Sequence, residues 1–130
     1  MPSLELHHTG YVVDDLDASL SVWRQAASPV TVTEPVVVTA DNVKVCFLEY
    51  AGGRAELIEH LNRDRKPAMS STSQPHHVCF LCGDFDDRIA RARNEGGVVV
   101  RPPVASEAFA GRRMCFVLYR HAGLIEWVEQ

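Results

Sequence analysis

Apolar and polar positions along the chain switch between two periods, and the switch occurs twice in the same order. Residues 6–13, "LHHTGYVV", read as a strand, and in "DDLDASLSVWRQAA" (14–27) Leu16, Leu20 and Trp23 recur at helical spacing behind acidic residues. The β-branched "PVTVTEPVVV", the mostly apolar "NVKVCFLEY" and the segment "AELIEHL" after the turn "AGGR" predict three further strands. Residues 62–75, "NRDRKPAMSSTSQP", are polar and carry Ser, Thr and Pro, which predicts a surface linker. The order then restarts. "HHVCFLCG" predicts a strand, "DFDDRIARARNEGG" a helix ending at Gly, and "VVVRPPV", "RRMCFVLYR" and "LIEWVEQ" three strands.

A shift of 69 positions carries His7 onto His76, His8 onto His77, Asp15 onto Asp84 and Asp17 onto Asp86. Such self-similarity predicts a duplicated fold. The expectation is an α+β chain of two tandem βαβββ modules within one domain spanning 1–130: a first module at about 4–61, the linker 62–75, and a second module at about 76–130. The four aspartates suit the positive ends of their helices and need no catalytic role for that.

Composition narrows the function. With 130 residues, 46% of them hydrophobic and 23% charged, the chain has the make-up of a single globular domain. A net charge of −4, from 13 basic against 17 acidic residues, argues against nucleic acid as a partner and favours a small molecule. No apolar run approaches the ~20 residues that span a bilayer, and "MPSLELHHTG" lacks a signal peptide's basic start and apolar core; a cytoplasmic location and no membrane partner are expected. Cys46, Cys79, Cys82 and Cys115 all sit in apolar runs, where free cysteine behaves as a small buried hydrophobe. "CFLC" matches Cys-x-x-Cys, but residues three apart in a strand face opposite ways, so Cys79 and Cys82 are not expected to chelate or to form a redox pair.

Strand parity selects candidate ligands. If His8 faces inward, Leu6, Gly10 and Val12 share its face while His7, Thr9, Tyr11 and Val13 take the other, and the repeat gives His77 the place of His8. The last strand of each module supplies an acid shortly after a Gly turn, Glu56 in "GGRAELIEHL" and Glu126 in "HAGLIEWVEQ". A carboxylate in so apolar a strand needs a partner. Two imidazoles with two carboxylates suit one divalent ion of zinc, cobalt, nickel, manganese or iron. His7 and His76 are expected outside the ligand set, His60 shares the face of Glu56, and Glu59 lies on the opposite face, one alignment error away from Glu56.

The stretches "LHHTGYVVDDLDASLSVW", "VKVCFLEYAGGRAELIEHL", "HHVCFLCGDFDDRIARARNEGG" and "GRRMCFVLYRHAGLIEWVE" together resemble the vicinal oxygen chelate superfamily, which includes glyoxalase I, methylmalonyl-CoA epimerase, extradiol dioxygenases and bleomycin-resistance proteins. The resemblance implies paired modules curling an open, cup-shaped mixed sheet around a metal, with ligands at His8, Glu56, His77 and Glu126. It also implies a homodimer as one arrangement of the modules. Within the superfamily the chain is most similar to the methylmalonyl-CoA epimerase type, through "ELIEHL" and the ungapped "VTEPVVVTADNVKVCFL". That similarity implies a proton transfer next to a carbonyl, through a metal-stabilised enolate, on an oxygenated acid or thioester. Glu126 is then one candidate base and Glu34 the other, each able to contribute roughly 100- to 10,000-fold when placed correctly.

The short "YRHAGLIE" departs from the longer epimerase loop and weakens a coenzyme A assignment. "WRQAASPV" and "RHAG" depart from the glyoxalase I pattern, so a glyoxalase I-like lyase is an alternative, as is a metal-free small-molecule binding or resistance protein. Arg112 and Arg113 are candidates to hold a substrate carboxylate or phosphate, and alternation allows at most one of them to do so.

Overall fold

The computed structural model describes residues 4–62, 64 and 73–130, which fall into two compact units. One runs from His8 to His76; the other joins His77–Gln130 to the start of the chain through His7.

In the first unit, β1 (Glu5–Val13) leads into α1 (Leu16–Ala26), followed by β2 (Thr31–Val32), β3 (Val36–Val38), β4 (Val43–Tyr50) and β5 (Gly53–His60). β1 runs parallel to β5, from Thr9 opposite Ala55 to Val13 opposite Glu59. β4 runs antiparallel to β5 along its whole length, and both β2 and β3 pair with β4. Asp15 caps α1, its carboxylate accepting from the Ala18 N–H at 2.8 Å. The helix lays Leu16, Leu20 and Trp23 on the sheet face made by Tyr11, Val13, Cys46, Leu48, Ala55 and Leu57. Trp23 tilts against Tyr11 at 5.4 Å between ring centroids. Each fully buried leucine here contributes about 1.5–3 kcal/mol relative to exposure. The Tyr50 hydroxyl donates to the Ala27 carbonyl just past the helix.

The second unit repeats the order with β6 (Ser73–Cys82), α2 (Phe85–Arg91), β7 (Gly97–Ala105), β8 (Arg113–Tyr119) and β9 (Gly123–Glu129). β6 pairs in parallel with β9, and β9, β8 and β7 follow as antiparallel neighbours. The helix-side core is Cys82, Phe85, Ala92, Cys115, Val117 and Trp127. The Trp127 indole N–H donates to the Tyr119 hydroxyl at 3.1 Å, and the Arg88 guanidinium lies 4.8 Å above its ring. At Asp84 the helix has no side-chain cap bond; the carboxylate instead takes two hydrogen bonds from Arg88.

Three boundaries differ from the sequence expectation. "PVTVTEPVVV" is two short strands, because the pairing with β4 breaks at Glu34–Pro35, where Pro35 has no N–H to donate. The second helix ends at Arg91 and tightens into a 3₁₀ turn over Ala92–Glu95, closed by Gly96 at φ 84°. β6 begins at Ser73, inside the expected 62–75 linker; residues 63 and 65–72 of that linker lie outside the described residues. Among the described residues no helix is long and apolar enough to cross a membrane.

Candidate functional site

Each unit buries one histidine beside one glutamate. In the first, His8 is 1% and Glu56 5% exposed, and His8 Nε2 lies 3.3 Å from Glu56 Oε1. In the second, His77 is 6% and Glu126 2% exposed, and His77 Nε2 lies 3.0 Å from Glu126 Oε1. The pairs arise from the same cross-strand frame. Glu56 stands opposite Gly10, two residues beyond His8, and Glu126 stands opposite Cys79, two residues beyond His77. On its other side each glutamate faces a phenylalanine, Phe47 or Phe116, and that ring meets the histidine of the pair edge-on at 5.1 Å and 5.0 Å.

The faces follow from alternation. Tyr11, Val13 and Leu57 point to α1, so His8 and Glu56 point away from it. Cys82 and Trp127 pack under α2, so His77, Cys79 and Glu126 occupy the opposite face. The aromatic walls and the burial exclude water, and a carboxylate there is stable only when paired or coordinated. In each pair the imidazole nitrogen and the carboxylate oxygen that meet are also the atoms a divalent ion takes. The donor types and burial therefore fit a borderline divalent metal.

The other candidates are distributed around the two pairs. Glu59 Oε1 accepts the Leu16 N–H at 2.7 Å, holding the first turn of α1. His7 stacks edge-on against Phe109 at 5.5 Å, His60 is half-buried at the end of β5, and His76 is exposed. Glu34 is exposed in the break between β2 and β3; next to it Thr33 exchanges two hydrogen bonds with Phe47. Of the two arginines of "GRRM", Arg113 is held on the helix side. Arg113 bonds twice to the Glu129 carboxylate and once to Asp86, over the Phe85 ring, and Arg112 donates to the Phe109 carbonyl. These hydrogen bonds to Arg113 hold the Glu129 carboxyl below its ordinary range. The sequence reading missed Phe47 and Phe116, whose roles depend on register rather than on residue type.

All four cysteines are buried, and none forms a disulfide. Burial pushes the Cys46 and Cys115 thiols up to about 11 and raises Cys82 as well.

The family model described as Glyoxalase/Bleomycin resistance protein/Dioxygenase superfamily matches residues 7–116. Compared with curated proteins, the sequence matches none. Among solved structures, a hypothetical protein from Bacillus halodurans aligns over 98% of this chain and 95% of its own, with a TM-score of 0.81 and 22% identity. Methylmalonyl-CoA epimerase from Mycobacterium tuberculosis aligns over 95% and 86%, with a TM-score of 0.74 and 20% identity. A Streptomyces coelicolor methylmalonyl-CoA epimerase in complex with 2-nitronate-propionyl-CoA aligns over 98% and 99%, with a TM-score of 0.74 and 24% identity. At these identities the likeness shows the fold, an α+β architecture of repeated modules.

Proposed function

Because the chain belongs to the Glyoxalase/Bleomycin resistance protein/Dioxygenase superfamily, we propose that its two buried His–Glu pairs hold one divalent metal ion and that it catalyses proton transfer next to a carbonyl. The observation that carries this reading is the duplication itself. A buried His–Glu pair with a phenylalanine across the sheet recurs in both units, at the positions parity selects. His8, Glu56, His77 and Glu126 are the proposed ligands. When bound, such an ion supplies a Lewis acid for neighbouring oxygens of a substrate and so acidifies the adjacent C–H.

The chain's own groups supply the rest. Phe47 and Phe116 keep the pairs dry, which strengthens every charge interaction beside them. Glu126 and Glu34 flank the substrate carbon in this reading: one, as the carboxylate, takes the proton from one face, and the other, as the carboxylic acid, returns a proton to the opposite face. An epimerase acting on an oxygenated acid or thioester is the reaction this arrangement suits, and the epimerase neighbours support that choice.

A second reading has its own observation. Each histidine lies 3.0–3.3 Å from its own glutamate, an ion-pair distance that a metal-free protein sequestering a small molecule would also keep. Elemental analysis together with exchange in deuterium oxide separates the two. The enzyme reading expects about one divalent ion per chain, deuterium entering next to the carbonyl of a 2-methylmalonyl thioester or 2-hydroxy-ketone, and slower entry in Glu34→Gln with its metal retained. Tight small-molecule binding with neither metal nor exchange establishes the sequestering protein instead.

A further inference from the structure

The cross-strand row through Glu126 continues beyond Phe116 into β7. Antiparallel partners project to the same face, and β7 meets β8 with Val99 opposite Val117 and then Arg101 opposite Phe116, the step passing over Val100. Val99 and Val117 pack in the helix-side core. Strict alternation from Val99 would send Arg101 to that side as well; the extra residue of the bulge turns it to the face of Phe116, Glu126 and His77. Pro102 and Pro103 follow, and a second register shift lies between Arg101 and Val104. Residues with a fixed φ and no N–H to pair hold the bulge in place.

The result is a row of Arg101, Phe116, Glu126 and Cys79 across four strands, with Arg101 half-buried at its outer end. Two strand spacings, about 10 Å, separate Arg101 from Glu126, a gap that a guanidinium on its long stem and a small anionic molecule fill together. The matching place in the first unit is Thr33, opposite Phe47, and its hydroxyl is engaged by the Phe47 N–H. The duplicated modules therefore differ here, with a cation in one and a short hydroxyl in the other. Arg113 and Arg88 lie on the other face, the helix side, beside Glu129, Asp86 and Asp84.

We propose that Arg101 anchors the anionic end of the substrate, a carboxylate or a phosphate, and so fixes which way round the molecule lies against His77 and Glu126. The planar guanidinium matches either anion with two parallel hydrogen bonds. The apolar ring of Phe116 beside it reduces screening of that contact. This inference rests on the metal reading above for the part His77 and Glu126 play.

Calorimetric titration of the cobalt-loaded protein with malonate, methylmalonate and inorganic phosphate tests it. The parent is expected to bind at least one of the three, with binding about tenfold to a hundredfold weaker in Arg101→Ala and intermediate in Arg101→Lys. Cobalt content should be the same in Arg101→Ala as in the parent. Arg120→Ala, which removes an exposed arginine from the β8–β9 turn, should bind as the parent does. Preference for the dicarboxylates assigns a carboxylate substrate, and preference for phosphate a phosphate ester. Unchanged binding in Arg101→Ala, or no binding of any of the three by the parent, overturns the assignment. If cobalt is not taken up, the metal reading fails separately, and the same titration of metal-free protein still decides the role of Arg101.

Discussion

Glu56 and Glu59 lie three positions apart in β5 and face opposite ways, one toward His8 and the other toward the backbone of α1. Substituting them should therefore have separable effects. Glu56→Gln is expected to lose bound metal, as measured by elemental analysis, whereas Glu59→Ala should keep it and lower unfolding stability by about 1 kcal/mol, the usual loss on removing a helix N-terminal acceptor. Period-two parity in the sequence is enough to separate these acids, because the strand is regular there. The thiols give a second residue-scale expectation. Cys46 and Cys115 are raised from near 9 to about 11 by burial, so the fold favours their neutral form. That contribution is complete below pH 9 and is lost as pH rises from about 9 to about 11. Urea midpoints should fall across this window, and the fall should be shallower in the Cys46→Ala, Cys115→Ala double variant.

At the level of elements, the joint between the second helix and β7 is closely packed around Gly97. A Cβ on Gly97 would come within 2.7 Å of the Val117 side chain, 2.9 Å of the Ala92 carbonyl oxygen and 3.0 Å of the Tyr119 ring. Gly97→Ala should therefore destabilise by about 1–3 kcal/mol, read from urea denaturation. Strand and helix order was legible in the sequence because alternation and helical spacing are local properties. Breaks and bulges were less so. Pro35 marks the interruption between β2 and β3 in the sequence, but the face of Arg101 depends on what β8 presents opposite it, and no periodicity within "VVVRPPV" contains that information. The same reason hid Phe47 and Phe116, which matter through the glutamates they face.

For the molecule as a whole, duplication makes a quantitative prediction about the proposed ion. One ion shared by four ligands implies that Glu56→Gln and Glu126→Gln each abolish most metal binding and that the double variant is scarcely worse, as expected for groups acting as a unit. Two independent sites would instead leave each single variant with half of the metal. Chelation should lower the thermal midpoint of the loaded parent, and the metal-free protein should not respond to the chelator. The chain's two tryptophans give these experiments a built-in readout. Trp23 rests half-buried on Tyr11 in one unit, and Trp127, 5% exposed, lies in the other beneath Arg88 and immediately after Glu126. Each unit thus carries its own emitter. In Trp23→Phe, fluorescence reports only the unit of Trp127, and in Trp127→Phe only the unit of Trp23, so ordinary emission spectra during a melt reveal whether the two halves lose their structure together or in turn.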